Sequence, residues 1–498
     1  MSLAQIHQWS KTRVQETEVD KYLINGRDFI DGCAIEQVLE NACNPDRAWI
    51  RDILEKSLAI ERLTLEETAL LANVTDPDVL NEMADTGLKV KRKVYDNRIV
   101  FFAPLYCSNC CINGCVYCGF NSGNTVERRR TLTRPEIIEE TKQVLAEGHK
   151  RMIVVFGEHP SSDVNYICNA LNAIYSVHRK TPQKTATSIR RINVNAAPMC
   201  ISDLQKLHRE GIGTFQVFQE TYHKETYRQM HPFGPKANYR WRLYALHRAM
   251  EAGVDDVGAG ALLGLHDWKY EVLGLVAHAM DLERAFNIGP HTVSVPRLTP
   301  ASGSSTYIDS RYLVNDKLFK RMITVIRLAI PYTGLIVTAR EKPGIHMQAI
   351  TLGCTQTDAS SKIGVGAYAA QSEQHIDHQQ FMLGDTRTLD EVIHELAKMG
   401  MITSFCTAGY RCGRTGDKIM KLLHSGTEGK FCKLNAVLTF REYLDDYASA
   451  QTRAAGEKII EQELAQIEQM DFYNKGALRK QFNKYYSDIC AGQRDVYV

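Results

Sequence analysis

The sequence predicts an α/β fold, a (β/α)8 barrel of the TIM type over residues 96–360. A helical extension (1–95) precedes it and a mostly helical one (361–498) follows. From Arg98 onward short apolar runs alternate with amphipathic stretches, as buried parallel strands and their covering helices do. Eight such units fit the roughly 250 residues that a barrel of this kind occupies. An open doubly wound sheet is the alternative. No G-x-G-x-x-G follows the first strand, so a dinucleotide site has no support.

Taken in order, AIEQVLENA, AWIRDILEKSLAIERL and LTLEETALLANV carry apolar residues at spacings of three and four, and Thr64 with Glu67 fits a capping box. Strands are expected at 98–106, 151–157, 190–197, 213–220, 256–265, 291–298, 335–340 and 349–353. Between them RPEIIEETKQVLAEG, ISDLQKLHREG, YRWRLYALHRAMEAG and KLFKRMITVIRLAI read as helices. After residue 360 the chain turns polar through SEQHIDHQQFMLGDTRT. Helical patterns return in LDEVIHELAKMG, GDKIMKLLHSG and a charged tail, expected to cover one barrel mouth.

The 498 residues carry 60 Lys and Arg against 58 Asp and Glu, a net charge of +2. That balance speaks against a dominant electrostatic hold on nucleic acid or an anionic membrane. No stretch reaches the roughly 18 apolar residues that span a bilayer. The start, MSLAQIHQWSKTRVQ, lacks an apolar signal core, so the expectation is a cytoplasmic protein.

Of the 14 cysteines, five fall between Cys107 and Cys118 and three between Cys406 and Cys432. Cys33, Cys43, Cys168, Cys200, Cys354 and Cys490 are scattered and read as small buried hydrophobes. In a reducing compartment a local cysteine cluster points to metal or catalysis. Cys111, Cys115 and Cys118 form C-x3-C-x2-C, with Tyr117 before the last thiol. Three thiolates on a short loop can hold three irons of a [4Fe–4S] cube and leave the fourth open to an outside ligand. Zinc is the alternative. The pairs Cys107–Cys110 and Cys115–Cys118 are only four residues apart, however, where structural zinc pairs stand a dozen or more apart.

C-x3-C-x2-C with an aromatic before the third cysteine resembles the motif of radical S-adenosylmethionine enzymes. The resemblance implies that the methionyl amine and carboxylate chelate the open iron. Reductive cleavage of the sulfonium then yields a 5′-deoxyadenosyl radical that takes a hydrogen atom from substrate. It further implies that Glu158, in VFGEHP, takes the methionyl amine, that Glu220, in FQVFQETYH after Gln219, bonds the ribose or methionyl group, and that Tyr117 lies against the cofactor.

From about residue 35 to Val498 the chain is similar to the tyrosine lyases of that superfamily. It is closer to the HydG branch of [FeFe]-hydrogenase maturation than to the thiazole-pathway ThiH branch. APLYCSNCCINGCVYCG, SIRRINVN, IGTFQVFQETYH, MHPFGPK, RAMEAGVDDVG, GPHTVSVPRL, PYTG with AREKP, and CTAGYRCGRTGDKIM carry the likeness. It implies Cα–Cβ scission of L-tyrosine to p-cresol and dehydroglycine (2-iminoacetate), with Arg340 gripping the carboxylate through its planar fork. It also implies a ferredoxin- or flavodoxin-type electron donor and, as partners, other maturation proteins. Two alternatives stay open: a lyase on another aromatic amino acid, or a non-catalytic paralogue that delivers metal or binds a partner.

Two departures concern the auxiliary cluster of the HydG branch. Its C-x2-C-x22-C reads here as Cys406, then Gly409, then Cys432, and Cys412 lies three residues beyond the gap. A degenerate site of Cys406, Cys412 and Cys432 is a weak cradle for a cube. Asp281 stands where the branch is expected to carry a histidine ligand, with His278 and His291 as neighbours that could compensate. The reading expects no complete second cluster.

Overall fold

The computed structural model describes residues 3–42, 45–181, 185–304, 306–370, 379–424, 428–470 and 476–498; Cys43 and most of SEQHIDHQ lie outside them. Eight parallel strands close into a barrel: β1 (Arg98–Ser108), β2 (Arg151–Phe156), β3 (Arg191–Asn195), β4 (Phe215–Gln216), β5 (Val257–Gly260), β6 (Thr292–Ser294), β7 (Gly334–Val337) and β8 (Gln356–Asp358). Closure is direct, with Val100 registered on Gln356 and Phe102 on Asp358. Helices such as Arg134–Ala146, Val164–Tyr175, Trp268–Phe286 and Asp316–Ala329 fill the crossovers and bury their inner faces on the strands.

A ninth strand, β9 (Ile402–Ser404), comes from the C-terminal extension. It pairs with the lower half of β1, Arg98 to Ile402 and Val100 to Ser404, below the stretch where Ala103–Ser108 pairs with β2. The extension thereby closes the mouth at the N-terminal ends of the strands. Residues 380–385 reach the opposite mouth instead, where the Gly384 amide bonds the Ala339 carbonyl at 2.8 Å.

The N-terminal helices Leu65–Asn73 and Pro77–Tyr95 pack on the helix Asp316–Ala329. The Thr64 capping box forms: the Glu67 amide donates to Thr64 Oγ1 at 3.2 Å and the Thr64 amide to Glu67 Oε2 at 2.7 Å. Among the described residues no helix is long and apolar enough to cross a membrane.

One expected strand is displaced. Residues 349–353 close the helix Pro343–Leu352, and the eighth strand is Gln356–Asp358. Pro343 in the first turn and Gly353 after the last frame the helix, and these outweigh the β-branched Ile350 and Thr351.

Candidate active site

A cavity of ≈ 1100 Å³ opens at the C-terminal ends of the strands, where barrels of this type carry their chemistry. Tyr117, Cys118, Glu220 and Arg340 line it above, and Phe102, Ile153 and Ile336 below.

The cysteine loop follows β1 and is held by asparagines. Asn121 Nδ2 donates to the Cys115 carbonyl at 3.0 Å, and Asn124 Nδ2 to those of Gly119 and Ser302. Asn113 Oδ1 accepts from the Lys236 amide at 2.9 Å, while its Nδ2 donates to Glu158 Oε2 at 2.7 Å. N–H groups point at the sulfurs: Phe120 N and Gln380 Nε2 lie 3.4 and 3.5 Å from Cys118 Sγ, and Asn113 Nδ2 lies 3.6 Å from Cys111 Sγ. Such donors tune an iron–sulfur cluster. Among the described residues no three His, Cys, Asp or Glu side chains converge as a metal-ion site requires. A cube takes each thiolate on a different iron, so its three thiols need not meet at one point. Burial pushes the Cys115 thiol up to about 12, against the pull of Lys236, and raises Cys111 as well.

Glu158 follows β2. Gly157 permits its approach, since a Cβ there would stand 2.2 Å from the Cys110 carbonyl oxygen. Burial raises the Glu158 carboxyl, and Oε1 is buried with no hydrogen-bond partner among the described residues. An orphaned acceptor beside the thiol loop suits a cationic amine.

Glu220 sits at φ +71°, a left-handed conformation that costs roughly 1–3 kcal/mol for such a residue. Three ties hold it there: the Leu262 amide bonds its carbonyl at 2.8 Å, and Lys236 Nζ and Arg242 Nη2 reach Oε1 at 2.8 and 3.1 Å. Burial acts to raise this carboxyl, but Lys236 and Arg242 outweigh it and hold it below the usual range. Gln219 is buried without a hydrogen-bond partner for its side-chain amide among the described residues, and it does not line the cavity.

Tyr117 donates to His231 Nε2 at 2.9 Å, because His231 Nδ1 is committed to the Tyr227 carbonyl at 2.8 Å. Burial drives His231 well below its ordinary value, which keeps the imidazole neutral and fixes this direction. Arg340 follows β7, with Nη1 at 3.3–3.4 Å from Thr299 Oγ1 and the Arg297 carbonyl, and its guanidinium carbon 3.2 Å from the Phe381 ring centre. Burial lowers it to about 10, so it stays charged at neutral pH.

The other cysteines of the first cluster face away. Cys107 is buried near the Leu105 carbonyl, and Cys110 accepts a bond from Thr131 Oγ1.

A second cavity, ≈ 670 Å³, lies at the opposite mouth, lined by Arg98, Arg151, Asp256, His291, Cys406 and Cys432. Gly409 lines it too, whereas Cys412 is exposed and does not. Cys412 therefore does not join Cys406 and Cys432 in this lining.

Asp281 is a correction. It is buried on the helix Trp268–Phe286, bonded to His247 Nε2 at 2.9 Å and to Arg284. It is no ligand position for this mouth. His291, just before β6, is the histidine that lines it, and His278 packs on the Tyr222 hydroxyl at 3.0 Å. Asp281→His is expected to lower thermal stability by about 2 kcal/mol, because it removes the buried carboxylate that bonds His247 Nε2. Iron content should not change; a melting curve beside an iron assay checks both.

A model described as the Radical SAM superfamily matches residues 105–276, and the Biotin and Thiamin Synthesis associated domain matches 294–402. A solved structure described as HydG, a maturase of the [FeFe]-hydrogenase, is 43% identical, covers 95% of this chain and all of its own, and superposes with a TM-score of 0.88. The chain belongs to the HydG/ThiH-like radical S-adenosylmethionine family. HydG from Carboxydothermus hydrogenoformans is 36% identical over 92% of this chain and 96% of its own, with a TM-score of 0.75. The 2-iminoacetate synthase of Escherichia coli (strain K12) is 28% identical over 70% of this chain and 88% of its own. Radical S-adenosylmethionine enzymes use a [4Fe–4S] cluster and S-adenosylmethionine, and this HydG/ThiH-like chain is such an enzyme. The orphaned Glu158 Oε1 and the N–H groups aimed at Cys111 and Cys118 fit that pair.

Asn113, Lys236, Arg242 and Gln380 were not singled out from the sequence. The only signals for them were the Asn inside CINGC and the run MHPFGPK, quoted above for its family likeness alone.

Proposed function

We propose that the protein cleaves the Cα–Cβ bond of L-tyrosine to p-cresol and dehydroglycine (2-iminoacetate), without a complete auxiliary cluster. The supporting observation is that the Arg340 guanidinium and the Cys118 thiol line one cavity with an apolar floor. Cys111, Cys115 and Cys118 would hold the cluster, Glu158 the methionyl amine, and Tyr117 and Glu220 the adenosyl side of S-adenosylmethionine. When bound, the pair supplies one-electron cleavage of the sulfonium and hydrogen-atom abstraction.

The chain's own residues set the geometry. Arg340, charged at neutral pH, pairs with the substrate carboxylate. That anchor turns the amino group toward the cysteine loop and drops the ring toward Phe102, Ile153 and Ile336. Phe381 covers the guanidinium, and Leu262 and Leu298 wall the mouth, excluding water that would quench a reactive radical. The Lys236–Glu220–Arg242 group holds its charges in fixed positions, so little reorganisation accompanies the reaction.

This reading keeps three units, 1–95, 96–360 and 361–498, in the cytoplasm, with a ferredoxin- or flavodoxin-type protein as reductant. Arg340→Gln is expected to raise the tyrosine KM about 100-fold, as loss of a buried charge pair does, with S-adenosylmethionine affinity unchanged. Reconstituted enzyme with dithionite, tyrosine and S-adenosylmethionine tests the whole. The absence of p-cresol would refute tyrosine cleavage.

A further inference from the structure

Glu220 owes its left-handed backbone to more than the ties on its own atoms. The two residues that follow it, Thr221 and Tyr222, are fully buried, and both are gripped by the helix Trp268–Phe286. Glu271 Oε1 hydrogen-bonds the Thr221 hydroxyl, and Oε2 accepts from the Tyr222 amide at 2.8 Å. One turn on, Gly274 makes room for the Tyr222 ring, since a Cβ there would stand 2.4 Å from its Cγ. A further turn on, His278 Nδ1 meets the Tyr222 hydroxyl at 3.0 Å. Positions 271, 274 and 278 are spaced by three and four, so they share one helix face.

The carboxyl is the costly part of this grip. Glu271 is 0% exposed, and burial raises it to about 8, so it is neutral at pH 7. An apolar side chain would pack on the same face without the cost of burying a polar group. It would not serve the Tyr222 amide. The Gln219 amide still bonds the Gly260 carbonyl, and the Glu220 carbonyl takes the Leu262 amide, but the Tyr222 amide turns from the neighbouring strand to the helix. Without Glu271 that amide is buried and unpaired, and the chain after Glu220 is free to turn. Glu220 would then relax out of its strained φ and carry its carboxylate off the cavity.

We infer that Glu271 is a positioning residue for S-adenosylmethionine binding, which through Thr221 and Tyr222 holds Glu220 in the conformation that faces the cofactor. This rests on Glu220 meeting the adenosyl side of S-adenosylmethionine, as in the function proposed above. Glu271 itself touches neither cofactor nor substrate. Its two oxygens act on the backbone and hydroxyl beside Glu220, and the ion pairs of Glu220 with Lys236 and Arg242 then fix where the carboxylate ends.

The test is calorimetric titration of S-adenosylmethionine into cluster-reconstituted enzyme, with iron measured per chain. Glu271→Leu should weaken S-adenosylmethionine about tenfold, the order set by the strain released at Glu220, while iron stays at the wild-type value. Glu271→Gln, whose amide can donate to the Thr221 hydroxyl and accept from the Tyr222 amide, should bind as the wild type does. Thr221→Val removes one bond with little change of shape; it should weaken binding less, and it decides the matter if the leucine variant misfolds. Wild-type affinity in a folded Glu271→Leu or Thr221→Val variant overturns the inference. So does a glutamine variant as weak as the leucine one, or iron lost in step with affinity. Glu220→Gln separates the two readings: undiminished binding there refutes the proposed role of Glu220, whereas weak binding there beside a normal Glu271→Leu refutes this inference alone.

Discussion

Replacing Cys111, Cys115 and Cys118 together by alanine is expected to bring bound iron from about four atoms per chain to near zero, and 5′-deoxyadenosine formation with it. The side-chain amides of Asn109, Asn121 and Asn124 hold the loop they occupy independently of the thiols, so the barrel should remain folded. Unchanged far-ultraviolet circular dichroism beside lost absorbance near 400 nm would be the signature. Each single substitution leaves two thiols, too few to hold three irons, and should cost nearly as much. Sustained 5′-deoxyadenosine production by the triple variant after anaerobic reconstitution would show that the cluster lies elsewhere.

The second large effect concerns the opposite mouth. The wild type is expected to bind one stable cube, because among the described residues Cys406 and Cys432 are the two cysteines that line that cavity. Gly409→Cys should add a second paramagnetic cluster and take the count toward roughly eight irons per chain. The backbone admits the change: a Cβ at 409 finds its nearest neighbour, the Arg414 carbonyl oxygen, at 3.4 Å. His291 already lines the cavity, so no second substitution is needed. Roughly eight irons and two cluster signals in the unmodified protein would refute this and point to a rearranged Cys412 loop.

Much of the barrel was legible because buried parallel strands are nearly all apolar: RIVFFAPLY and RMIVVFG can be little else. Gln356–Asp358 was illegible because a short strand facing a barrel interior can be wholly polar, while the helix before it carries the β-branched residues. The chemistry followed the same division. Thiol spacing, the strand-end Glu158 and Arg340 are local patterns, whereas Lys236 and Arg242 reach Glu220 from a segment 16 and 22 residues on, a meeting that only the tertiary fold creates. Asp281 shows the limit of counting along a chain. Ten residues before His291, it is turned by its helix into the outer layer, onto His247.

The pairing of β1 carries a consequence for how the protein is made. Among the described residues its lower half pairs with 355–358 on one side and with 402–404 on the other. A nascent chain that has released every other strand still presents Arg98–Phe102 as an open, apolar edge until the ribosome has passed Ser404. Such late, non-local closure slows folding and lengthens exposure to aggregation. A chain cut at residue 360 would keep all eight barrel strands and all three thiols of the first loop, yet retain part of that edge permanently. The C-terminal extension is therefore as much a condition of solubility for the barrel as a cover for its lower cavity.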